Sequence, residues 1–433
     1  VVASAEKRSA AEKARSPFSS SMSETVSRFA ISRTCCSSSS RSSPLKSAGS
    51  NSSSGGRRGS AKCKKLQLNT NKISFLQHIH IDGWLLLGLL VLMSVGLFTL
   101  YSASGQDEGQ MQRQFTRLGV SFIVMFVLAQ IPIGAFRRLS TYAYIVGLLM
   151  LIAVLLFGDV GKGAQRWLDL KFIRFQPSEL MKLAVPMMVA WYISQFNLPP
   201  RTIHIITGFT LVAVPTVLIA KQPDLGTSLL IASSGIFAIF LAGMSWRLIG
   251  FVSLLGGAFA PIMWFFLMKD YQKQRVLTFL NPESDPLGAG YHIIQSKIAI
   301  GSGGMDGKGW LQGTQSQLEF LPERHTDFIF SVFSEEFGLT GVMVLLGIYL
   351  CIILRGLIIA NRAQDAYSKL LAGSITLTFF VYVFVNMGMV SGLLPVVGVP
   401  LPLVSYGGTS MVTLMAGFGI LMSIATQKRF MSR

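Results

Sequence analysis

The sequence predicts an all-α membrane protein with ten transmembrane helices, a long extracytoplasmic loop between the seventh and eighth, and a disordered N-terminal tail. Three observations predict it. Of 433 residues, 51% are apolar and only 13% charged, the mean hydropathy is +0.52, and the apolar residues fall in long uninterrupted runs. A soluble protein carries about a quarter charged residues, whereas a helix crossing the ~30 Å hydrocarbon core needs about 20 apolar residues in succession. A cytosolic enzyme is excluded.

The tail comes first, residues 1–72. Residues 1–80 hold 14 Lys and Arg against three acids (Glu6, Glu12 and Glu24), so they carry +11 of the formal +18, and the first 60 positions contain 21 serines. No core can be built from that composition, and no apolar stretch makes it a secretory signal. It fits an organelle transit peptide, plastid-like above all, or a disordered extension outside the mature protein. Cys35, Cys36 and Cys63 lie in or beside this Ser-rich stretch and Cys351 is alone in an apolar run, so no disulfide framework is indicated.

The membrane domain spans 73–433. Its apolar runs cover 83–101, 116–133, 141–157, 178–195, 203–220, 227–243, 246–267, 328–354, 370–390 and 409–427. An even number puts both termini on one side. The loops on that side carry Arg137, Arg138, Arg201, Arg247, Arg355, Arg362, Lys369, Lys428, Arg429 and Arg433 with a single acid, Asp365. Cytoplasmic loops are the ones enriched in Lys and Arg, so both termini are expected inside. The outer face then owns 102–115, 158–177 and 268–327. A segment as long as the last marks function more often than connection.

Within it, Gly301–Trp310 is glycine-rich and contains Lys308, yet Ser302 stands where a phosphate-binding loop needs glycine and Gly309 where it needs Ser or Thr. These glycines suit a close backbone approach or a simple turn. Arg324, His325, Thr326 and Asp327 stand directly before the eighth run. Thr326 or Asp327 could cap that helix; alternatively Asp327, held ionised by the helix dipole, accepts a proton while Arg324 and His325 orient an anion. Arg113, Arg166, Lys171 and Arg174 are outer-loop cations suited to phosphate, or merely solvated charges. Glu179 and Lys182, spaced i,i+3, share a helix face, and ionisable residues inside a membrane mark function by default; a packing pair is the alternative. The histidines do not cluster, so no metal site is indicated.

The motifs Tyr101-Ser-Ala-Ser-Gly-Gln-Asp107, Gln165-Arg-Trp-Leu-Asp-Leu170, Arg174-Phe-Gln-Pro-Ser-Glu179, Gln222-Pro-Asp-Leu-Gly-Thr-Ser228, the run 284–327 and the stretch 392–408 resemble the SEDS family (shape, elongation, division and sporulation) of bacterial cell-wall proteins, closest to its elongation branch. The resemblance covers roughly 73–433 and omits the tail. It implies a ten-helix peptidoglycan glycosyltransferase that polymerises lipid II at the outer membrane face, beside a class B penicillin-binding protein and the elongation complex. It places the catalytic aspartate on Asp327 and substrate-binding groups on Arg113, Arg174, Glu179 and Lys182, with Arg324 and His325 flanking the acid. It implies no organic cofactor and leaves a divalent cation open. A lipid II flippase and a non-catalytic scaffold for the penicillin-binding protein are the rival readings; the short, merely basic inner loops disfavour the flippase. The plasma membrane of a bacterium is the expected location, or a plastid inner envelope if the tail is a transit peptide. The basic balance points to no nucleic acid.

Overall fold

The computed structural model describes residues 80–427, apart from 162–163, 170–173, 269, 285–288 and 319–322. The tail, residues 1–72, expected to be disordered, lies outside the described residues. Among the described residues there are thirteen α-helices: α1 (Gly83–Ala103), α2 (Glu108–Gln130), α3 (Ile133–Phe157), α4 (Pro177–Ile193), α5 (Thr202–Lys221), α6 (Leu225–Leu241), α7 (Trp246–Ile262), α8 (Asp270–Leu280), α9 (Ala289–Ser302), α10 (Thr314–Gln317), α11 (Ile329–Arg362), α12 (Ala366–Val390) and α13 (Thr409–Thr426). Among the described residues, six are long and apolar enough to cross a membrane: α1, α3, α5, α11, α12 and α13.

Caps explain several starts. Asp82 accepts the Leu85 amide at 3.0 Å, Asp107 the Gly109 amide at 2.8 Å, and Asp224 the Thr227 amide at 3.2 Å, each satisfying an N–H group that has no partner within its helix. Within the bundle, α12 and α13 are central, with 67% and 61% of their apolar windows buried, against 28% for α3 and α5. The α2 and α3 outer faces expose Ile123, Val127, Leu149 and Leu156, an apolar surface that needs lipid cover. Helix contacts rely on small residues and buried hydroxyls, as in membrane bundles: Gly419 of α13 lies against the Met125 carbonyl of α2, Tyr144 donates to Leu211 O at 2.9 Å, and Tyr349 to Pro402 O at 2.7 Å.

Three features go beyond a plain helix count. The connection after α3 forms a small antiparallel sheet of β1 (Asp159–Gly161), β2 (Ala164–Asp169) and β3 (Arg174–Phe175), in that order. The segment 268–327 carries α8, α9 and α10. The eighth apolar run continues to Arg362, past its expected end at 354, and bends at Gly338, whose φ of 61° and ψ of −165° lie outside the helical region.

That bend is where the glycine-rich stretch docks. Lys308 N and Gly309 N donate to the carbonyls of Glu335 and Glu336 at 3.0 Å each, and Leu339 N and Thr340 N donate back to Gly304 O and Met305 O at 3.0 and 3.1 Å. A Cβ at Gly303 would lie 2.1 Å from Ser334 O, and one at Gly307 2.1 Å from Glu336 O. The glycines therefore serve close backbone approach. The buried Glu335 carboxylate accepts from Lys308 at 2.8 Å, Thr314 at 3.0 Å and the Gln315 amide at 3.0 Å, while Glu336 accepts from Ser102 and from the Leu311 amide.

Candidate active site

Asp327 lies in the turn 323–328 that delivers the chain into α11. The cap of that helix is Phe328, one residue after Asp327, with no side-chain cap hydrogen bond. Thr326 turns back instead, its hydroxyl donating to the Glu323 carboxylate at 2.9 Å. Two segments hold the turn. Asn386 of α12, fully buried, donates through Nδ2 to the Asp327 carbonyl at 3.0 Å and to the Val399 carbonyl at 2.7 Å. The Tyr406 amide donates to the His325 carbonyl at 2.8 Å. Gly398, at φ 72°, faces the carboxylate, and a Cβ there would sit 3.5 Å from Asp327 Oδ2.

From this turn, His325 and Arg324 each meet a neighbouring segment. The His325 ring meets the Tyr406 ring edge-to-face at 6.1 Å, and the Arg117 guanidinium covers the other part of that tyrosine at 4.4 Å from its centroid. A cation over an aromatic ring is held electrostatically. Arg324 reaches towards the turn after α1, its Nη2 lying 3.6 Å from where a Gly105 side chain would begin. Arg113 projects from α2 beside Asp107 at 3.9 Å, more than half exposed, so the pair contributes little and leaves the guanidinium available.

Glu179 and Lys182 form a buried ion pair at 2.7 Å in the first turns of α4, and Lys182 Nζ lies 5.4 Å from the centroid of the Tyr382 ring. Tyr382 and Asn386 are one turn apart on α12 and so share a face, about 6 Å apart along the axis. One helix face thus touches both the ion pair and the Asp327 turn. Arg174 pairs with Asp169 in the sheet; its side chain lies outside the described residues, as do those of Arg166 and Lys171.

Residue-by-residue reading missed Asn386, Arg117, Tyr406, Gln176 and Asp224. Gln176 donates to Asp224 at 3.3 Å, tying the entry of α4 to that of α6. Gly226, two residues on, abuts the Val397 carbonyl. Gln176, Asp224 and Tyr406 fall within the motifs that carry the family resemblance, which was the available signal. Asn386 had none, being a lone amide in an apolar run.

His292 of α9 stacks on Phe328 with centroids 5.8 Å apart. Burial pulls its imidazole below the ordinary value of 6.5, and the Glu323 carboxylate partly opposes this. Among the described residues, no group of three or more His, Cys, Asp or Glu could hold a metal ion. A carboxylate can take a proton from a hydroxyl, and cations can steady an anionic leaving group.

The profile of the FtsW, RodA and SpoVE family, described as cell cycle proteins, matches residues 75–430. The peptidoglycan glycosyltransferase MrdB of Escherichia coli K12 is 57% identical over 365 residues, covering 84% of this chain and 99% of that protein. The peptidoglycan glycosyltransferase RodA of Treponema pallidum is 32% identical, covering 79% and 97%. Among solved structures, a chain from a peptidoglycan synthase complex that coordinates polymerization and crosslinking matches with a TM-score of 0.69 at 30% identity, covering 80% of this chain and 97% of that one. Thermus thermophilus RodA matches at 0.61 and 28% identity, covering 80% and 96%.

Proposed function

This chain belongs to the FtsW, RodA and SpoVE family, and from that premise we propose that it is a peptidoglycan glycosyltransferase polymerising lipid II at the outer face of a bacterial plasma membrane during cell elongation. The observation that carries the reading is the Asp327 turn, held by α12 and by the segment before α13, with a buried lysine one helical turn deeper along the same α12 face.

In this reading the 4-hydroxyl of the acceptor GlcNAc attacks C1 of the donor MurNAc. Its proton goes to the Asp327 carboxylate, the bond from C1 to the lipid pyrophosphate breaks, and the α linkage becomes β. Developing charge on the pyrophosphate calls for cations; Arg113, Arg174 and Lys182 supply them. Glu179 holds Lys182 in place through their 2.7 Å ion pair, while Arg324 and His325 shape the rim beside the acid.

In this reading α2, α4, α6 and α7 join the six spans named above, with 268–327 outside and both termini in the cytoplasm; the coincidence of all ten apolar runs with helices supports the count. The Arg-rich loops assigned to the inner side support that orientation. A class B penicillin-binding protein crosslinks the strands as partner within the elongation complex; the similarity to a synthase complex that couples polymerization to crosslinking supports this.

The test is strand formation from purified lipid II by the detergent-solubilised protein, alone and with its partner. Asp327→Asn is expected to insert and fold normally and to make no strands. Normal strands from that variant would sink the assignment.

A further inference from the structure

We propose that Asn386 is a positioning residue for the reaction, an amide that sets the bearing of the Asp327 carboxylate by holding both walls of the slot in which it sits; this rests on the polymerase reading above. Asn386 is fully buried in α12. Its amide nitrogen has two hydrogens, and each reaches a carbonyl from a different segment: Asp327 O at 3.0 Å in the turn before α11 and Val399 O at 2.7 Å in the segment before α13. The opposite orientation of the amide is excluded, because it would set an oxygen against two carbonyl oxygens.

Its own Oδ1 is buried with no hydrogen-bond partner among the described residues. A buried orphan acceptor is a stability cost. An aliphatic residue would remove that orphan but leave the Asp327 and Val399 carbonyls without this donor, so the amide is kept for the two bonds it donates.

What the two bonds do is geometric. The Asp327 carbonyl is fixed by Asn386 and the His325 carbonyl by the Tyr406 amide, so the peptide planes around the acid are tied down on both sides. The other wall is Gly398, at φ 72° and 3.5 Å (as a Cβ position) from Asp327 Oδ2, and it directly precedes the Val399 carbonyl that the same amide holds. One NH2 group therefore sets the distance between the acid and the wall it faces. A general base works only within about 3 Å of the proton it takes, and a misplacement of about 1 Å costs on the order of 100-fold in rate.

The experiment uses the full-length protein with purified lipid II, measuring kcat and KM beside melting temperature for Asn386→Leu, Asn386→Asp and Gly398→Ala. Leu keeps the volume and removes both donors; Asp keeps the shape and replaces donors by acceptors. Gly398→Ala disturbs the facing wall without touching Asn386. The expected result is a kcat lowered by about 100-fold in both Asn386 variants, with KM changed less than about twofold and folded protein recovered. Wild-type kcat in Asn386→Asp, or a loss that follows only the folded fraction, overturns the proposal. Should both Asn386 variants fail to fold, Gly398→Ala decides: a kcat-only loss supports the slot and wild-type kcat overturns it. Wild-type protein that makes no strands, alone or with partner, would instead overturn the polymerase reading itself.

Discussion

Replacing Lys182 by Met strands the Glu179 carboxylate inside the bundle. The two groups are 2.7 Å apart with side chains 8% and 7% exposed, and Glu179 Oε2 already has no hydrogen-bond partner among the described residues. At an effective dielectric of about 20, charges at that distance attract by roughly 6 kcal/mol. Desolvating both ions consumes much of this, so the intact pair contributes little net stability. Breaking it is another matter, since one uncompensated charge in such a site costs about 3–5 kcal/mol. Lys182→Met and Glu179→Gln should each lower stability by about 3 kcal/mol, roughly 6 °C in melting temperature at ~2 °C per kcal/mol. The double variant removes both charges and should lose less than the two singles together, giving a coupling of about 2 kcal/mol or more. Thermal unfolding of the four proteins in one detergent measures the cycle. Strict additivity, or single variants that melt like wild type, would refute the claim that the two charges compensate each other in the bundle.

The docked glycine stretch and the stacked histidine give two further tests. Gly307→Ala, at φ 80° with its Cβ 2.1 Å from Glu336 O, should detach 303–311 from α11 and expose it to protease, whereas Gly304→Ala, at φ 58° in open space, should cost only about 1–2 kcal/mol; equal behaviour of the two would count against the contact. His292 favours the neutral form in the folded protein, so fewer protons are bound folded than unfolded: its stability contribution is complete above the ordinary value of 6.5 and is lost as pH falls below it towards the lower folded value. Melting from about pH 7.5 to about pH 5.5 should show that decline, and His292→Phe, which keeps a ring against Phe328, should flatten it; an unchanged slope would exclude His292 as its source.

The helical body was legible because each long apolar run demanded a helix; α2 begins at Glu108, well before its apolar run at 116, so Arg113, expected in an outer loop, is helical. The end of α11 was misplaced because Arg355 and Arg362 read as loop charges; in the structure Arg355 remains helical and bonds Asp82. The β-sheet at 159–175 was missed because its strands are too short to show a period. At the site, Asp327 stood out chemically, while Thr326 and Asp327 also suited a cap; the helix takes Phe328 as its cap instead. Asn386 and Arg117 were invisible for a simpler reason. What matters about them is contact between separate segments, 59 and 13 residues away for Asn386 with Asp327 and Val399, and far more for Arg117 with Tyr406, and no local pattern encodes that.

The antiparallel exchange of amides between 303–309 and 335–340 makes this part of the chain a keyed joint. Both strands of the exchange are counted out residue by residue, with glycines at the contact points. Adding or deleting one residue between Gly303 and Gly309 would put a side chain where none fits and shift every later bond. Peptide tags or cysteine labels therefore belong elsewhere, for instance at the exposed polar turn before α12, where Gln364 and Asp365 face outward.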